Sequence, residues 1–212
     1  LLGRGSWLEG FSLPARLGVA GEWPALGLWQ RVLGLRERPH GWLLAFLAGW
    51  LLEGIHYTVS LLAYDAVPYP VSPLGLYARV VLGGVLQAGV RLLALMGLYW
   101  VSAWLLGDRL GGRDALWAAS VASLLTGIVS LAATPLAGRL TAYDYSYLCF
   151  TLHMASWAAA PLASLPWSSE RGLRRLGWAV LATVLAGFTP VVLIYPESTV
   201  YSLIVYPPPR GG

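Results

Sequence analysis

The chain has 212 residues, 57% of them hydrophobic and 11% charged, with a formal net charge of +4. A soluble domain carries about 25% charged residues, so most of this surface must face lipid, which excludes a soluble protein and points to an integral membrane protein. The basic excess does not mark a nucleic-acid partner, because the arginines sit next to apolar runs instead of forming one basic face.

All 14 basic residues are Arg, and Asn is absent. Avoidance of thermolabile residues fits a thermophilic source, and a GC-rich genome produces the same arginine bias. Cys149 is the single cysteine, which excludes an internal disulfide and a cysteine-rich metal site.

No cleavable signal pattern opens the chain. Residues 1–40 hold too many breakers and arginines to span a bilayer and read as an N-terminal cytoplasmic segment. Within it, the stretch from Trp23 to Arg36 places Leu26, Trp29, Val32 or Leu33 and Leu35 near one side, with Gln30, Arg31 and Arg36 largely on another. With Pro24 near its first turn, this predicts a short amphipathic helix lying in the membrane interface.

Five apolar runs follow, each about as long as or longer than the ~20 residues that an α-helix needs to cross a bilayer. They cover 41–62, 76–106, 115–137, 147–165 and 176–195, so residues 41–195 form the membrane bundle and 196–212 an outer tail. Pro68, Pro70 and Pro73 make the first loop extended, and Pro190 predicts a bend in the last span. The octet from Gly107 to Asp114 is too short for anything but a surface turn, which makes the second and third runs a hairpin. The run at 76–106 is the longest and should be tilted or protrude. The prolines Pro207 to Pro209 cannot continue a helix.

Arg4, Arg16, Arg31, Arg36, Arg38, Arg109, Arg113, Arg171, Arg174 and Arg175 fall on one side of this five-span scheme, and Arg139 and Arg210 on the other. Positively charged loops stay cytoplasmic, so the N-terminus is expected inside and the C-terminus outside. The outer side is rich in Tyr and acids: Asp65, Tyr69, Tyr143, Asp144, Tyr145 and Glu197.

At helical spacing each of the first four runs carries one polar or small stripe. The stripes are Gly49, Glu53, His56 and Ser60; Gly84, Gln87, Arg91 and Ser102; Ser120, Ser123, Gly127, Ser130 and Thr134; and Cys149, His153, Ser156 and Ser164. Small residues let membrane helices approach closely and polar ones hydrogen-bond across the gap, so the stripes should meet in the interior. Glu53 and Arg91 lie far from their helix ends, where an isolated charge costs about 2.5–3.5 kcal/mol on insertion scales, and at similar depth counted from the outer ends. They are expected to pair, either as a structural ion pair or as part of a hydrated site for an ion, a proton or a polar ligand. His56 and His153 sit about two turns from the outer ends of their spans, where a bis-histidine b-type haem is conceivable, and Glu53-x-x-His56 resembles half of a di-metal motif. The second Glu-x-x-His is missing. The expectation is therefore a hydrogen-bonded pair of histidines, satisfied by Ser60 and Ser156, with no metal or cofactor. No phosphate-binding loop or nucleophile elbow is present, and the Trp and Tyr residues suit aromatic belts at the two membrane surfaces.

The entry Trp29-Gln-Arg-Val-Leu33 with Arg38-Pro39, and the hairpin from Ala103 to Asp114 with its Gly111-Gly112 turn, resemble the prokaryotic branch of the Yip (Ypt-interacting protein) family of five-span membrane proteins. The resemblance covers roughly residues 28–195. It implies a membrane scaffold or a transport role, with no catalytic residues. The Tyr-Gly-Pro motif of the eukaryotic members is absent, so GTPase binding and trafficking are not implied.

These observations predict an all-α polytopic membrane bundle of five transmembrane helices behind an interfacial helix. Three functions stand open: a non-enzymatic scaffold or accessory subunit that associates with other membrane proteins or with itself; a transporter or channel component using Glu53, Gln87 and Arg91; and a haem-carrying anchor subunit using His56 and His153. The first is preferred.

Overall fold

A computed structural model describes residues 24–67, 71–165 and 169–188. Arg4, Arg16, Pro68, Tyr69, Pro70, Pro190, Glu197, the run Pro207 to Pro209 and Arg210 lie outside the described residues.

Among the described residues there are six α-helices and no strand: α1 (Pro24–Gly34), α2 (Gly41–Ala63), α3 (Pro73–Leu105), α4 (Gly112–Ala133), α5 (Ala142–Ser164) and α6 (Ser169–Phe188). Short 3₁₀ turns follow α1 (Leu35–Glu37) and α4 (Thr134–Leu136). Among the described residues three helices are long and apolar enough to cross a membrane: α2, α3 and α4 with its 3₁₀ extension. The expectation of five such helices is therefore met only in part. α5 carries Asp144 and a run of small and hydroxylated residues, and α6 begins with Glu170, Arg171, Arg174 and Arg175.

The helix ends explain where the expected boundaries moved. Ser72 caps α3, its Oγ accepting from the Gly75 amide at 3.1 Å with Pro73 in the first turn. Thr141 caps α5 by accepting from the Asp144 amide at 3.2 Å while donating to the Asp144 carboxylate at 2.7 Å, which starts this helix five residues before the apolar run. α6 starts seven residues early because its first two turns take up the arginines assigned to a loop, and Arg175 is buried with Nη1 donating to the Leu165 carbonyl at 3.2 Å. α3 ends on Gly107 at φ +69°, with the Asp108 and Gly107 amides returning to the Ala103 and Trp104 carbonyls. That is the C-terminal motif in which a left-handed residue lets two late amides cap the last turn. Asp65 does the same for α2 at φ 50°.

α4 is the axis of the bundle, with 67% of its span buried against 39% for α2 and 33% for α3. It packs on α2, α3 and α5, and α6 closes against α3 and α5. Its enclosed faces are made of Ala115, Ala118, Ala119, Ala122, Ser123 and Gly127. Small side chains there let the backbones come close. At the α2–α4 crossing a methyl on Gly49 would fall on the Ser123 backbone, and one on Gly127 on the Gly49 backbone. The large exposed apolar residues of α3, such as Leu82, Leu86, Leu93, Trp100 and Trp104, line its outward face, as a lipid-facing helix requires.

α1 forms where the amphipathic pattern placed it, and its apolar side packs on the bundle. Trp29, Val32 and the following Leu35 pack against the bundle core, while Leu28, Gln30 and Arg31 are exposed.

The arginines separate by end. Arg36, Arg38, Arg109, Arg113, Arg174 and Arg175 gather where α2 and α4 begin and α3 ends, together with Arg31 and Arg171. Arg139 is at the opposite end, and so is Arg79, six residues into α3, which the count by loops had left out.

Candidate functional site

Four helices bring their polar stripes together in the half of the bundle nearest the tyrosine-rich end. Arg91 Nη2 of α3 donates to Glu53 Oε2 of α2 at 2.5 Å, and the two residues are 8% and 3% exposed. Their depth matches from the arginine-rich ends, Glu53 twelve residues from Gly41 and Arg91 fourteen from Leu105. From the other ends it does not match, ten residues against eighteen, because α3 overruns α2 there; the first turns of that overhang bury Leu76 and Val80 against Tyr57, Leu61, Val67 and Val71. Glu53 Oε1 has no hydrogen-bond partner among the described residues. Gln87, one turn from Arg91, is half-buried and makes no hydrogen bond among the described residues.

Both histidines point into the same region, and both use hydroxyls of α4 and its 3₁₀ extension instead of the serines expected. His153 Nε2 lies 2.9 Å from Ser130 Oγ. His56 Nδ1 lies 3.2 Å from Thr134 Oγ1 and 3.3 Å from the Tyr145 hydroxyl, and its Nε2 lies 3.8 Å from Cys149 Sγ. Ser60 and Ser156 turn back on their own helices, donating to the His56 and Leu152 carbonyls at 2.8 Å. Ser130 and Thr134 were available because they stand one turn apart on the helix that α2 and α5 both face.

The proton inventory fixes the state of His56. Thr134 donates its one hydroxyl proton to the Ser130 carbonyl at 3.0 Å, so it can only accept from the imidazole. His56 therefore carries its proton on Nδ1, and Nε2 accepts from the Cys149 thiol. The Nε2 atoms of both histidines are engaged by neighbouring side chains. Among the described residues no group of three or more His, Cys, Asp or Glu side chains is placed to hold a metal ion.

Below this cluster an aromatic layer closes the interior toward the arginine-rich end. The Tyr99 hydroxyl donates to the Trp157 carbonyl at 2.6 Å, Trp157 Nε1 donates to Thr126 Oγ1 at 3.2 Å, and Tyr99 meets Trp178 edge to face. Tyr99, Trp157 and Trp178 are at most 1% exposed. Trp117 Nε1 and Trp178 Nε1 reach the Ser164 carbonyl and the Asp108 carboxylate at 3.2 and 3.0 Å. These aromatics are core, not belt, which corrects the reading from composition. Their signal in the sequence is the spacing Trp157-x-x-x-Pro161: a proline has no amide hydrogen, so the carbonyl four residues before it needs another donor. Trp100, Trp104, Tyr143 and Tyr147 are exposed and do suit a belt.

Neither family models, nor curated proteins, nor solved structures yield a match to this chain.

Proposed function

We propose that this chain is a non-enzymatic multi-pass membrane protein that serves as a scaffold or accessory subunit for other membrane proteins or for a second copy of itself. One observation carries the reading. The outward face of α5 holds Thr151, Ala155, Ala159 and Ala163 in i, i+4 register, all exposed, below Tyr143 and Tyr147. α5 is not among the helices apolar enough to cross a membrane by themselves. A small, weakly apolar face suits close packing by a further membrane helix better than it suits acyl chains.

In this reading α5 and α6 complete a five-span bundle, α1 lies along the interface, and the arginine-rich end is cytoplasmic, in keeping with the excess of arginine at that end. The likeness to the Yip family is consistent with it. The interior supports a lock more than a passage: the charges pair and both imidazoles are hydrogen-bonded. A transporter or channel component is the second reading, favoured by the unpartnered Glu53 Oε1 and by the unpartnered Ser102 and Ser123 hydroxyls.

Membranes carrying Ala159→Cys in a Cys149→Ala background, treated with a thiol crosslinker, should yield a defined crosslinked species, and Ala159→Trp should lose the associated protein on gentle purification. Absence of any crosslinked species, together with gentle purification of the parent chain without an associated protein, would overturn the scaffold reading. Substrate-dependent flux through reconstituted protein, lost in Glu53→Gln, would establish the second. A Soret band in protein from native membranes, lost in His56→Ala, would instead revive the haem-carrying anchor.

A further inference from the structure

The arginine-rich end carries eight arginines against four acidic residues among the described residues, whereas the opposite end balances two arginines, Arg79 and Arg139, with two acids, Asp65 and Asp144. What matters is where the acids point. Asp114 accepts from Arg36 Nη2 at 2.8 Å, and Asp108 accepts from Trp178 Nε1 at 3.0 Å and from the Arg109 amide at 2.9 Å. Two of the four carboxylates are thus engaged, Asp114 joining the 3₁₀ turn after α1 to α4 and Asp108 joining α6 to the α3–α4 turn. Arg113 is likewise drawn inward, its Nη2 donating to the Arg36 carbonyl at 3.0 Å.

Of the arginines at this end whose side chains are described, four guanidinium groups remain outside this network: Arg31 on α1, Arg38 before α2, Arg109 in the α3–α4 turn and Arg174 on α6. All four are exposed, and none has a side-chain hydrogen bond or ion pair among the described residues. Next to them stand exposed Leu28, Trp104, Leu105 and Leu173. Apolar and indole side chains beside unpaired guanidiniums are the chemistry of the boundary between acyl chains and headgroups. Arg presents a fork that matches phosphate oxygens two at a time.

We infer that this end of the bundle is a docking surface for anionic phospholipid headgroups, formed jointly by Arg31, Arg38, Arg109 and Arg174 on separate parts of the fold. The occupant is a lipid and not a free anion, because exposed Leu28, Trp104, Leu105 and Leu173 stand beside these arginines in the chain at the same end of the bundle and would be left bare by a soluble ligand. The inference rests on the membrane residence of the bundle, not on its scaffold role.

The test uses the full chain in a zwitterionic detergent, titrated with phosphatidylglycerol or phosphatidylcholine and read by native mass spectrometry and by thermal melting. Phosphatidylglycerol should be retained preferentially and should raise the melting temperature. At about 1 kcal/mol per basic residue near an anionic surface, each of the single changes Arg31→Gln, Arg38→Gln, Arg109→Gln and Arg174→Gln should lower that preference roughly fivefold, and the quadruple variant more than a hundredfold. Arg139→Gln, at the other end, should leave it unchanged. The single variants carry the test if the quadruple one does not fold. Equal retention of the two lipids, full preference in the variants, or an equal fall in Arg139→Gln would overturn the inference. A melting shift of the same size with inorganic phosphate would assign the arginines to a free anion. Recovery of the chain in the aqueous fraction without detergent would instead remove the membrane premise.

Discussion

The Tyr99 hydroxyl on α3 occupies the carbonyl of Trp157 on α5 that Pro161 leaves without a helical partner, at 2.6 Å and with both residues enclosed. Proline inside a helix both removes an amide and loosens the turn before it. Here a side chain from another helix supplies the missing donor, so the weak point of α5 becomes a contact point for α3. This links the aromatic layer to the polar cluster above it, since Trp157 stands one turn from His153.

Tyr99→Phe should therefore destabilise the protein by about 1–3 kcal/mol, the cost of a buried carbonyl left unmade. Pro161→Ala restores an amide at the right place in α5, so the same Tyr99→Phe change should cost clearly less in that background. Thermal melts of the four proteins in one detergent form the cycle. Equal cost in both backgrounds would show that Tyr99 acts through packing alone.

Glu53 and Arg91 should behave as a buried pair whose halves cannot be removed singly. Glu53→Gln or Arg91→Gln strands the opposite charge and should cost about 3–5 kcal/mol, whereas the double change should cost less than the two together. Melting temperatures that leave all three variants level with the parent would contradict the pairing.

The α2–α4 crossing should reject even one methyl group. Gly49→Ala and Gly127→Ala would each drive a Cβ into the backbone of the facing helix, and the resulting separation should cost about 1–3 kcal/mol or more, since backbone cannot move aside as a side chain can. Gly97→Ala is the control, with nothing within 4 Å of the added carbon, and should be neutral or gain roughly 0.5–1 kcal/mol from the helix propensity of Ala. A uniform response across the three would mean that helix propensity, not contact, governs these positions.

Orientation is checked with single cysteines in a Cys149→Ala background, because the native thiol is buried. Arg109→Cys, in the α3–α4 turn, should react with an impermeant reagent only after the membrane is opened, and Tyr143→Cys, at the first turn of α5, should react in intact cells. The opposite result inverts the protein, and labelling of both from one side would remove a crossing between them.

Hydropathy and spacing by themselves determined that the chain is helical, where its apolar runs lie, that α1 is amphipathic, and which face of each of the first four runs turns inward. Those properties are local: a helix repeats every 3.6 residues, so Glu53, His56 and Ser60, or Ser120, Ser123 and Gly127, share a side whatever surrounds them. The pairing of Glu53 with Arg91 was also legible, because an isolated charge inside an apolar span must find its opposite and few were on offer. Helix starts were less so, since Thr141 and Ser169 precede charged residues that resemble loop, yet belong to first turns. What only the tertiary structure decided is which helix stands in the middle and which groups each polar side chain meets. α4 is central because its small residues let three neighbours approach at once, and hydropathy carries no record of how closely two backbones can pass. For the same reason the histidines were matched to Ser60 and Ser156, neighbours along their own helices, when their partners are Ser130 on α4 and Thr134 in the 3₁₀ turn that follows it. Periodicity names the face of a helix, but the identity of what lies opposite that face is set by packing with residues far away in the chain.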